Sequence, residues 1–204
     1  MTAVKVVSSS PVLTDVTAQA SGGTSAYGFF LQNGAPTVTG GSAVVSGGSS
    51  TDVAIFSLTS SHATLRDVTA VATATGTASA YGILVSDAQP LLIDMDASAS
   101  GGHLAYGAAI STSGAPVVTI RGGRFSGTGA STSNAGIASS GGTYLVTGAT
   151  LSASGSGTVA SAARGGGNIS IANSQLTAPA SSSGLGTLTC TYVVDASFQP
   201  YTCP

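Results

Sequence analysis

Three aspartates are the residues of this chain whose type and spacing best fit a chemical role. Asp67 and Asp94 occupy the same place in two similar segments, "RDVTAVAT" and "IDMDASAS", and Asp96 follows two residues after Asp94. If the two segments stack as neighbouring β-strands, the two equivalent carboxylates lie about 5 Å apart. Carboxylate pairs at such a separation serve glycoside hydrolysis, and carboxylate oxygens are also ligands for Ca²⁺.

The segments that position these aspartates are copies of one repeat with a period near 26 residues. The copies begin at Pro11, Pro36, Ala63, Pro90, Pro116, Tyr144 and Ile169. In each copy the third residue is aliphatic, and in most copies the eighth and tenth residues are small or apolar. This period of two is typical of a β-strand. A second alternating run follows after a turn rich in Gly, Ser and Thr.

A single copy cannot bury its apolar face, but stacked copies can bury a continuous core. The repeat therefore predicts an all-β protein, a single right-handed parallel β-helix of about seven coils, since parallel crossovers are right-handed by default. Helical folds fit poorly because Gly, Ser, Thr and Val are too frequent and a 3.6-residue period is absent. We expect an N-terminal edge strand in residues 1–10, β-helix repeats in 11–186 and a C-terminal cap in 187–204.

The place of the aspartates within the repeat favours a structural role over chemistry. The fifth position of the seven copies is occupied by Asp15, Gly40, Asp67, Asp94, Ile120, Gly148 and Asn173. Asp, Gly and Asn are the residues that bends select. A bend is the favoured interpretation, and Ca²⁺ binding and catalysis remain alternatives, in which Asp67, Asp94 and Asp96 would act with Arg66. We predict no catalytic residue, no metal ion and no cofactor.

Aromatic side chains are predicted to fill the interior. Tyr27, Tyr81 and Tyr106 alternate with aliphatic residues, which favours an interior stack over a platform for stacking sugars. In the fifth copy the eighth position is Gly123 and the tenth is Phe125. A smaller residue at the eighth position and a larger one at the tenth together conserve the volume of the core. Phe125 should therefore be buried in the space that Gly123 leaves.

The segment "CTYVVDASFQPYTC" interrupts the repeat and contains the only two cysteines, Cys190 and Cys203. We interpret them as a disulfide that closes a hairpin-like cap, which implies an oxidising compartment. A reduced, buried pair is the alternative. Two cysteines alone cannot form a closed zinc site.

Composition excludes several classes of partner. Charged residues make up 6% of the chain, and the net charge is −2, whereas an average soluble domain is roughly 25% charged. Nucleic acids and anionic membranes are bound by clustered Lys and Arg, which this chain lacks. No apolar run approaches the ~20 residues of a membrane span. A nearly neutral Ser/Thr/Gly surface suits packing against like surfaces or neutral glycans.

Ice binding is a further alternative, because it requires a flat face with regularly spaced threonines. The outward second and fourth positions of the repeat contain a Thr-x-Thr pair in only one copy, at Thr37 and Thr39. Arg66 interrupts the row in the following copy. This row therefore fits an ice-binding face poorly, and the other faces cannot be mapped from the sequence.

Copies of the form "VTA.AS.G.T.AYG", ended by a "C…Y..DA.F…C" tail, resemble bacterial secreted right-handed β-helix repeat proteins over almost the whole chain. The resemblance implies a cell-surface or extracellular location and a role as a stalk, adhesin or passenger domain. The opening "MTAVKVVSSS" departs from the pattern because it lacks the apolar core of a secretion signal.

We therefore expect a non-catalytic extracellular structural or adhesive solenoid. Ice binding or glycan binding is the alternative, and a polysaccharide-degrading enzyme is the third possibility. The expected partners are further copies of the chain, end to end or side by side, and a neutral glycan or ice. Nucleic acid and membrane insertion are not expected.

Overall fold

A computed structural model describes residues 1–111, 116–155, 159–182 and 186–204 of the chain. In these residues the regular secondary structure consists entirely of β-strands. The first twelve strands are β1 (Thr2–Val7), β2 (Val12–Thr14), β3 (Thr17–Ser21), β4 (Ser25–Gly34), β5 (Thr37–Thr39), β6 (Ser42–Ser46), β7 (Thr51–Ser61), β8 (Thr64–Arg66), β9 (Thr69–Ala74), β10 (Ser79–Ser86), β11 (Leu91–Ile93) and β12 (Asp96–Gly101). The remaining strands are β13 (Leu104–Ile110), β14 (Val117–Arg121), β15 (Arg124–Thr128), β16 (Ser133–Ser139), β17 (Thr143–Thr147), β18 (Thr150–Ser154), β19 (Val159–Gly165), β20 (Asn168–Ala172), β21 (Gln175–Leu176), β22 (Ser181–Ser182) and β23 (Leu188–Thr191).

The strands form three parallel sheets that run side by side along the molecule. The first sheet has the order β1-β4-β7-β10-β13-β16-β19-β22, and the second has the order β2-β5-β8-β11-β14-β17-β20-β23. The third sheet has the order β3-β6-β9-β12-β15-β18-β21. Each strand pairs with the equivalent strand of the next coil, so the predicted parallel β-solenoid with a period of about 26 residues is confirmed, with about six turns.

The core lies between the three sheets and consists mainly of aliphatic side chains and alanine. The third position of the repeat contributes Val38, Leu65 and Leu92, all completely buried. On the third sheet the eighth position contributes alanines such as Ala70 and Ala97, which are also completely buried. Alternating large and small inward residues let the sheets approach each other without leaving a cavity.

The register of the fifth coil differs from the one read from the sequence. Phe125 pairs with Ala97 on one side and Leu151 on the other, which puts it at the eighth position instead of the tenth. Strand β14 is two residues longer than β11, and its residues Thr119 to Arg121 are the ones that pair with β11. The start of the fifth copy therefore lies two residues later than Pro116.

Phe125 is completely buried, as expected, but Gly123 is not the residue that makes room for it. The tenth position is Gly127, which pairs with Ala99. A Cβ atom on Gly127 would come within 2.1 Å of the Ala105 carbonyl oxygen. Phe125 and Gly127 are thus adjacent inward positions of one strand, and the close backbones of Ala105 and Ala135 leave no room for a side chain at Gly127.

The predicted interior stack of Tyr27, Tyr81 and Tyr106 is wrong, because the inward–outward alternation of the first sheet changes phase at one column of small residues. We call it the glycine column, and its members are Gly28, Ala54, Gly82, Gly107, Gly136 and Ala162. In β4 and β10 two consecutive residues are buried, Gly28–Phe29 and Gly82–Ile83. A Cβ on Gly82 would come 3.1 Å from the Ser98 backbone nitrogen of the third sheet. Because the residue before the glycine and the residue after it lie on opposite faces, the three tyrosines lie on the outer face and are half-buried.

The C-terminal segment contains the predicted Cys190–Cys203 disulfide. Strand β23 completes the second sheet, and Val194 then bridges Gln175 in parallel and Pro200 in antiparallel fashion. Tyr201 packs on the core, and its hydroxyl oxygen accepts a 2.8 Å hydrogen bond from the Ala180 backbone N–H. The other bulky residues of the segment, Tyr192 and Phe198, are exposed. A disulfide favours a non-cytoplasmic location.

Two buried polar residues, Asp52 and Asn134, replace the alanine of equivalent inward positions in the first sheet. The Asp52 Oδ1 accepts a 2.9 Å hydrogen bond from the Gly48 N–H, and the Asn134 Oδ1 accepts a 2.8 Å bond from the Ala130 N–H. The Asn134 Nδ2 also donates to the Ala130 carbonyl at 3.2 Å. The Asp52 Oδ2 is buried without a hydrogen-bond partner. Burial raises the pKa of Asp52, and the bond from Gly48 partly opposes that rise.

Replacement of Asp52 by asparagine is expected to stabilise the protein at neutral pH. A raised folded-state pKa means that this group's stabilising contribution is present below the unfolded pKa of about 3.9 and is lost as pH rises through the folded pKa. Asp52→Asn supplies an amide donor at the unpartnered position and removes this loss. We expect a gain of about 1–3 kcal/mol in unfolding free energy at pH 7 and a smaller gain near pH 4, measured by urea unfolding.

The matched control is the reverse exchange, Asn134→Asp, at the equivalent position. This variant should lower the unfolding free energy at pH 7, and the loss should be smaller at acidic pH. Equal stability of wild type and Asp52→Asn at pH 7 would contradict the assignment of a buried, incompletely bonded carboxylate.

Truncation of Phe125 tests the corrected register. Phe125→Ala should cost about 3–5 kcal/mol of unfolding free energy, because Gly127 has no side chain that could fill the cavity. Phe125→Leu should cost much less, since Leu151 and Leu176 occupy the same column. Phe198→Ala, at a site 74% exposed, is the control and should change stability by less than about 0.5 kcal/mol. A mild effect of Phe125→Ala would show that the site is not a packed core position.

A candidate binding groove on the first sheet

The aspartates singled out by the sequence lie in a column of left-handed turns. With the register corrected, the fifth position contains Asp15, Gly40, Asp67, Asp94, Gly122, Gly148 and Asn173, all with φ between 47° and 74°. Ile120 belongs to the inward third position instead and is completely buried. Gly, Asn and Asp are the residues that tolerate this backbone conformation best. The bend interpretation therefore accounts for every member of the column.

Asp67, Asp94 and Asp96 are all exposed. The backbone N–H of Asp67 donates to the Ile93 carbonyl at 3.0 Å, so Asp67 and Asp94 belong to adjacent turns as expected. Asp96 instead begins β12, where its neighbours are Thr69 and Arg124. Across the described ranges, no group of three or more His, Cys, Asp or Glu side chains is placed to hold a metal ion.

A different set of residues forms a coherent surface, which we call the outer strip. It consists of two outward columns of the first sheet, on either side of the glycine column. One column is Lys5, Phe30, Phe56, Leu84, Ala109, Ala138 and Arg164, and the other is Tyr27, Val53, Tyr81, Tyr106, Ala135 and Ser161.

The N-terminal half of the outer strip is an aromatic cluster. The Tyr27 and Phe56 rings stack with centroids 5.6 Å apart, and Phe30 meets both rings edge-on at 5.8 and 5.5 Å. The Lys5 Nζ lies 5.5 Å from the Phe30 ring centroid, within the range of a cation–π contact. These contacts cover Val53, which is completely buried although it faces outward.

The C-terminal half of the outer strip contains a groove of about 340 Å³. Tyr81 and Tyr106 form one wall, with ring centroids 5.8 Å apart and planes inclined by 67°. Ala109 and Ala138 occupy the positions that Phe30 and Phe56 occupy in earlier coils, so their short side chains leave a depression. Arg164 of β19 also lines the groove, and its Nη1 donates to the hydroxyl oxygen of Ser133 on β16.

The electrostatics of the groove are asymmetric. Its lining includes one cation, Arg164, and no Asp or Glu. Burial raises the pKa of the Tyr81 phenol, a hydrogen bond with Ser79 lowers it, and the neighbouring Tyr106 raises it. Tyr81 is therefore neutral at physiological pH. The surface can offer aromatic faces, hydroxyl groups and a guanidinium to a ligand.

Sequence reasoning missed this groove because it assigned the tyrosines to the interior. The available signal was the "AYG" triplet at residues 26–28, 80–82 and 105–107. A glycine at one fixed place in successive strands marks a bulge or a close approach of backbones. Recognition of that change of phase would have moved each tyrosine to the outer face.

Comparison with family models, curated proteins and solved structures finds no match to this chain. In the part of the chain that the structure describes, no helix is long and apolar enough to span a membrane.

The turn role of the aspartates predicts that their carboxylates are dispensable. Asp94→Gly should leave stability unchanged, because Gly40, Gly122 and Gly148 occupy the same column. Asp94→Val should cost about 1–3 kcal/mol, since a β-branched residue is strained at positive φ. Millimolar Ca²⁺ should not shift the melting temperature of the wild type. A calcium-dependent shift that Asp94→Gly abolishes would contradict the turn interpretation.

Proposed function

We propose that this protein is a non-catalytic structural or adhesive β-solenoid that works outside the cytoplasm, as a stalk, an adhesive module or a subunit of a filament. The observation that carries the proposal is the outer strip: an aromatic surface with a groove, displayed on a continuous parallel sheet. Tyr and Arg are enriched where proteins recognise partners. A rigid sheet holds such residues in place and reduces the entropy lost on binding.

The absence of a catalytic role is supported by where the carboxylates lie. A polysaccharide-degrading enzyme of this sequence was expected to place Asp67, Asp94 and Asp96 in its groove. None of the three lines the groove on the first sheet, whose lining contains no carboxylate at all. Hydrolysis of a glycosidic bond by paired carboxyl groups needs an acid and a base on either side of that bond.

An extracellular role is supported by the disulfide and the composition. Disulfides persist in oxidising compartments. With one lysine and four arginines in 204 residues, the chain offers few sites to trypsin-like proteases.

Self-association is part of the proposal because the sheets have terminal strands, which are β1, β2 and β3 at one end and β22 and β23 at the other. The edge of β21 is instead covered by Val194 of the C-terminal segment, which bridges Gln175. Unpaired strand edges are templates for pairing with another chain. End-to-end pairing would give filaments, which electron microscopy of the purified protein would reveal.

Ice binding is the second candidate, and one feature of the third sheet favours it. The outward eleventh position is a hydroxyl residue in the first six copies, namely Ser21, Ser46, Thr73, Ser100, Thr128 and Ser154. The Thr73 and Ser100 hydroxyls lie 3.3 Å apart. The neighbouring outward column contains Gln19, Val44 and Val71 as well as serines, and Asp96 and Arg124 interrupt the next column, so the match to a regular ice-binding face is weakened. Thermal hysteresis of the purified chain tests this candidate.

The adhesive role is tested by retention on immobilised extracellular polysaccharides and on cell surfaces. We expect the wild type to be retained on at least one of these surfaces without release of reducing sugar ends. Tyr106→Ser, in the outer strip, should lower retention several-fold. Tyr192→Ser, at an 85% exposed tyrosine of the C-terminal segment, is the matched control and should have no effect. Release of reducing ends would overturn the non-catalytic proposal, and equal effects of the two variants would remove the outer strip from it.

A further inference from the structure

We propose that the groove on the first sheet binds an anionic saccharide, with a sugar ring against Tyr81 and Tyr106 and its acidic group against Arg164. This inference rests on the adhesive function proposed above and specifies its ligand. It differs from the neutral glycan that the overall composition favours.

The dimensions of the groove suit a saccharide unit. Its volume of about 340 Å³ is at the lower end of the range of small-molecule sites, roughly 300–1,000 Å³. The lining is apolar at Ala109 and Ala138 and polar at the Gly165 backbone and at Ser140, whose hydroxyl donates to the Ile110 carbonyl at 3.0 Å. A sugar ring has the same distribution, with an apolar C–H face and a polar edge.

The tyrosine wall supplies the apolar contact. Both tyrosines pack against a small buried cluster formed by Ala109, Ala135 and Ala138. Tyrosine gives a large contact area at a low cost in conformational entropy because it has only two side-chain torsions. Each ring also has a polar hydroxyl end, and that of Tyr81 shares a hydrogen bond with Ser79.

Charge decides between a neutral and an acidic ligand. Arg164 is half-buried at the edge of the groove, and no carboxylate lines it. A guanidinium has five N–H donors in a planar fork, and the bond to Ser133 uses one of them. That bond holds the side chain across the sheet. A carboxylate or sulfate matches the fork in a two-point contact, whereas a neutral hydroxyl does not.

The whole outer strip has the same charge pattern. Lys5 lies at one end and Arg164 at the other, separated by six strand spacings, or about 29 Å. No Asp occupies either of its columns. A polymer of acidic sugars that runs along the solenoid axis would meet a cation at both ends and aromatic rings between them. A nucleic acid also combines charge and aromatic bases, but its binding relies on many more cations than two.

Isothermal titration calorimetry with short hyaluronan oligosaccharides tests the inference. The comparison ligand is the same oligosaccharide after reduction of its carboxylates to alcohols. Dextran sulfate and dextran form a second pair, which distinguishes a sulfate from a carboxylate as the acidic group. We expect each acidic ligand that binds to do so at least about 10-fold more tightly than its neutral counterpart, with an affinity that falls as salt rises.

The variants separate charge from folding. Arg164→Gln should weaken binding of the acidic ligand about 10-fold to 100-fold and leave binding of the neutral ligand unchanged. Arg164→Lys should restore part of the loss. Arg121→Gln, on the second sheet, is the matched control and should bind as the wild type does. Lys5→Gln should weaken binding only of chains long enough to span the outer strip.

The outcomes are distinct. Equal affinity for acidic and neutral ligands, or full affinity of Arg164→Gln, would overturn the inference and leave the adhesive function standing. Tighter binding of single-stranded DNA than of any saccharide would also overturn it. No binding to these ligands, together with no retention on any polysaccharide or cell surface, would remove both proposals.

Discussion

Hydrogen bonding between equivalent residues of successive coils is the constraint on which the rest of the structure depends. It aligns the repeat into columns, so that each position must satisfy the neighbour above and the neighbour below. The turn column illustrates this: every member from Asp15 to Asn173 has a positive φ, and the N–H of each donates to a carbonyl of the next coil. The core obeys the same constraint, since Phe125 is completely buried in one inward column between Ala97 and Leu151 of the neighbouring coils.

The sequence was sufficient for the fold but not for the face of every side chain. The period near 26 residues, the aliphatic third position and the two cysteines of the C-terminal segment can all be recognised in the amino-acid sequence. The register of the fifth coil was not visible, because β14 gained two residues without disturbing the alternation. The tyrosines were placed on the wrong face for a related reason. The prediction assumed that side chains alternate between inward and outward along the whole strand, whereas the alternation is interrupted at the glycine.

That change of phase links packing to the candidate site. At Gly107 the backbone of the third sheet lies so close that a Cβ would come 2.5 Å from the Ser126 nitrogen. The close approach turns Tyr81 and Tyr106 outward and the following residues inward. A requirement of the core therefore determines which side chains the surface displays, and a substitution at Gly107 would disturb the interior and the groove together.

A solenoid makes a regular surface by default, so a specific site must come from a departure from the repeat. In the outer strip the departure is a loss of volume, from Phe30 and Phe56 to Ala109 and Ala138, followed by a gain of charge at Arg164. Both steps occur at outward positions, and the inward residues beneath the groove, such as Ala108 and Ile137, remain completely buried. The aspartates at the turns illustrate the opposite case. They stack in adjacent coils because the backbone requires residues that accept a positive φ, and that requirement alone explains their spacing.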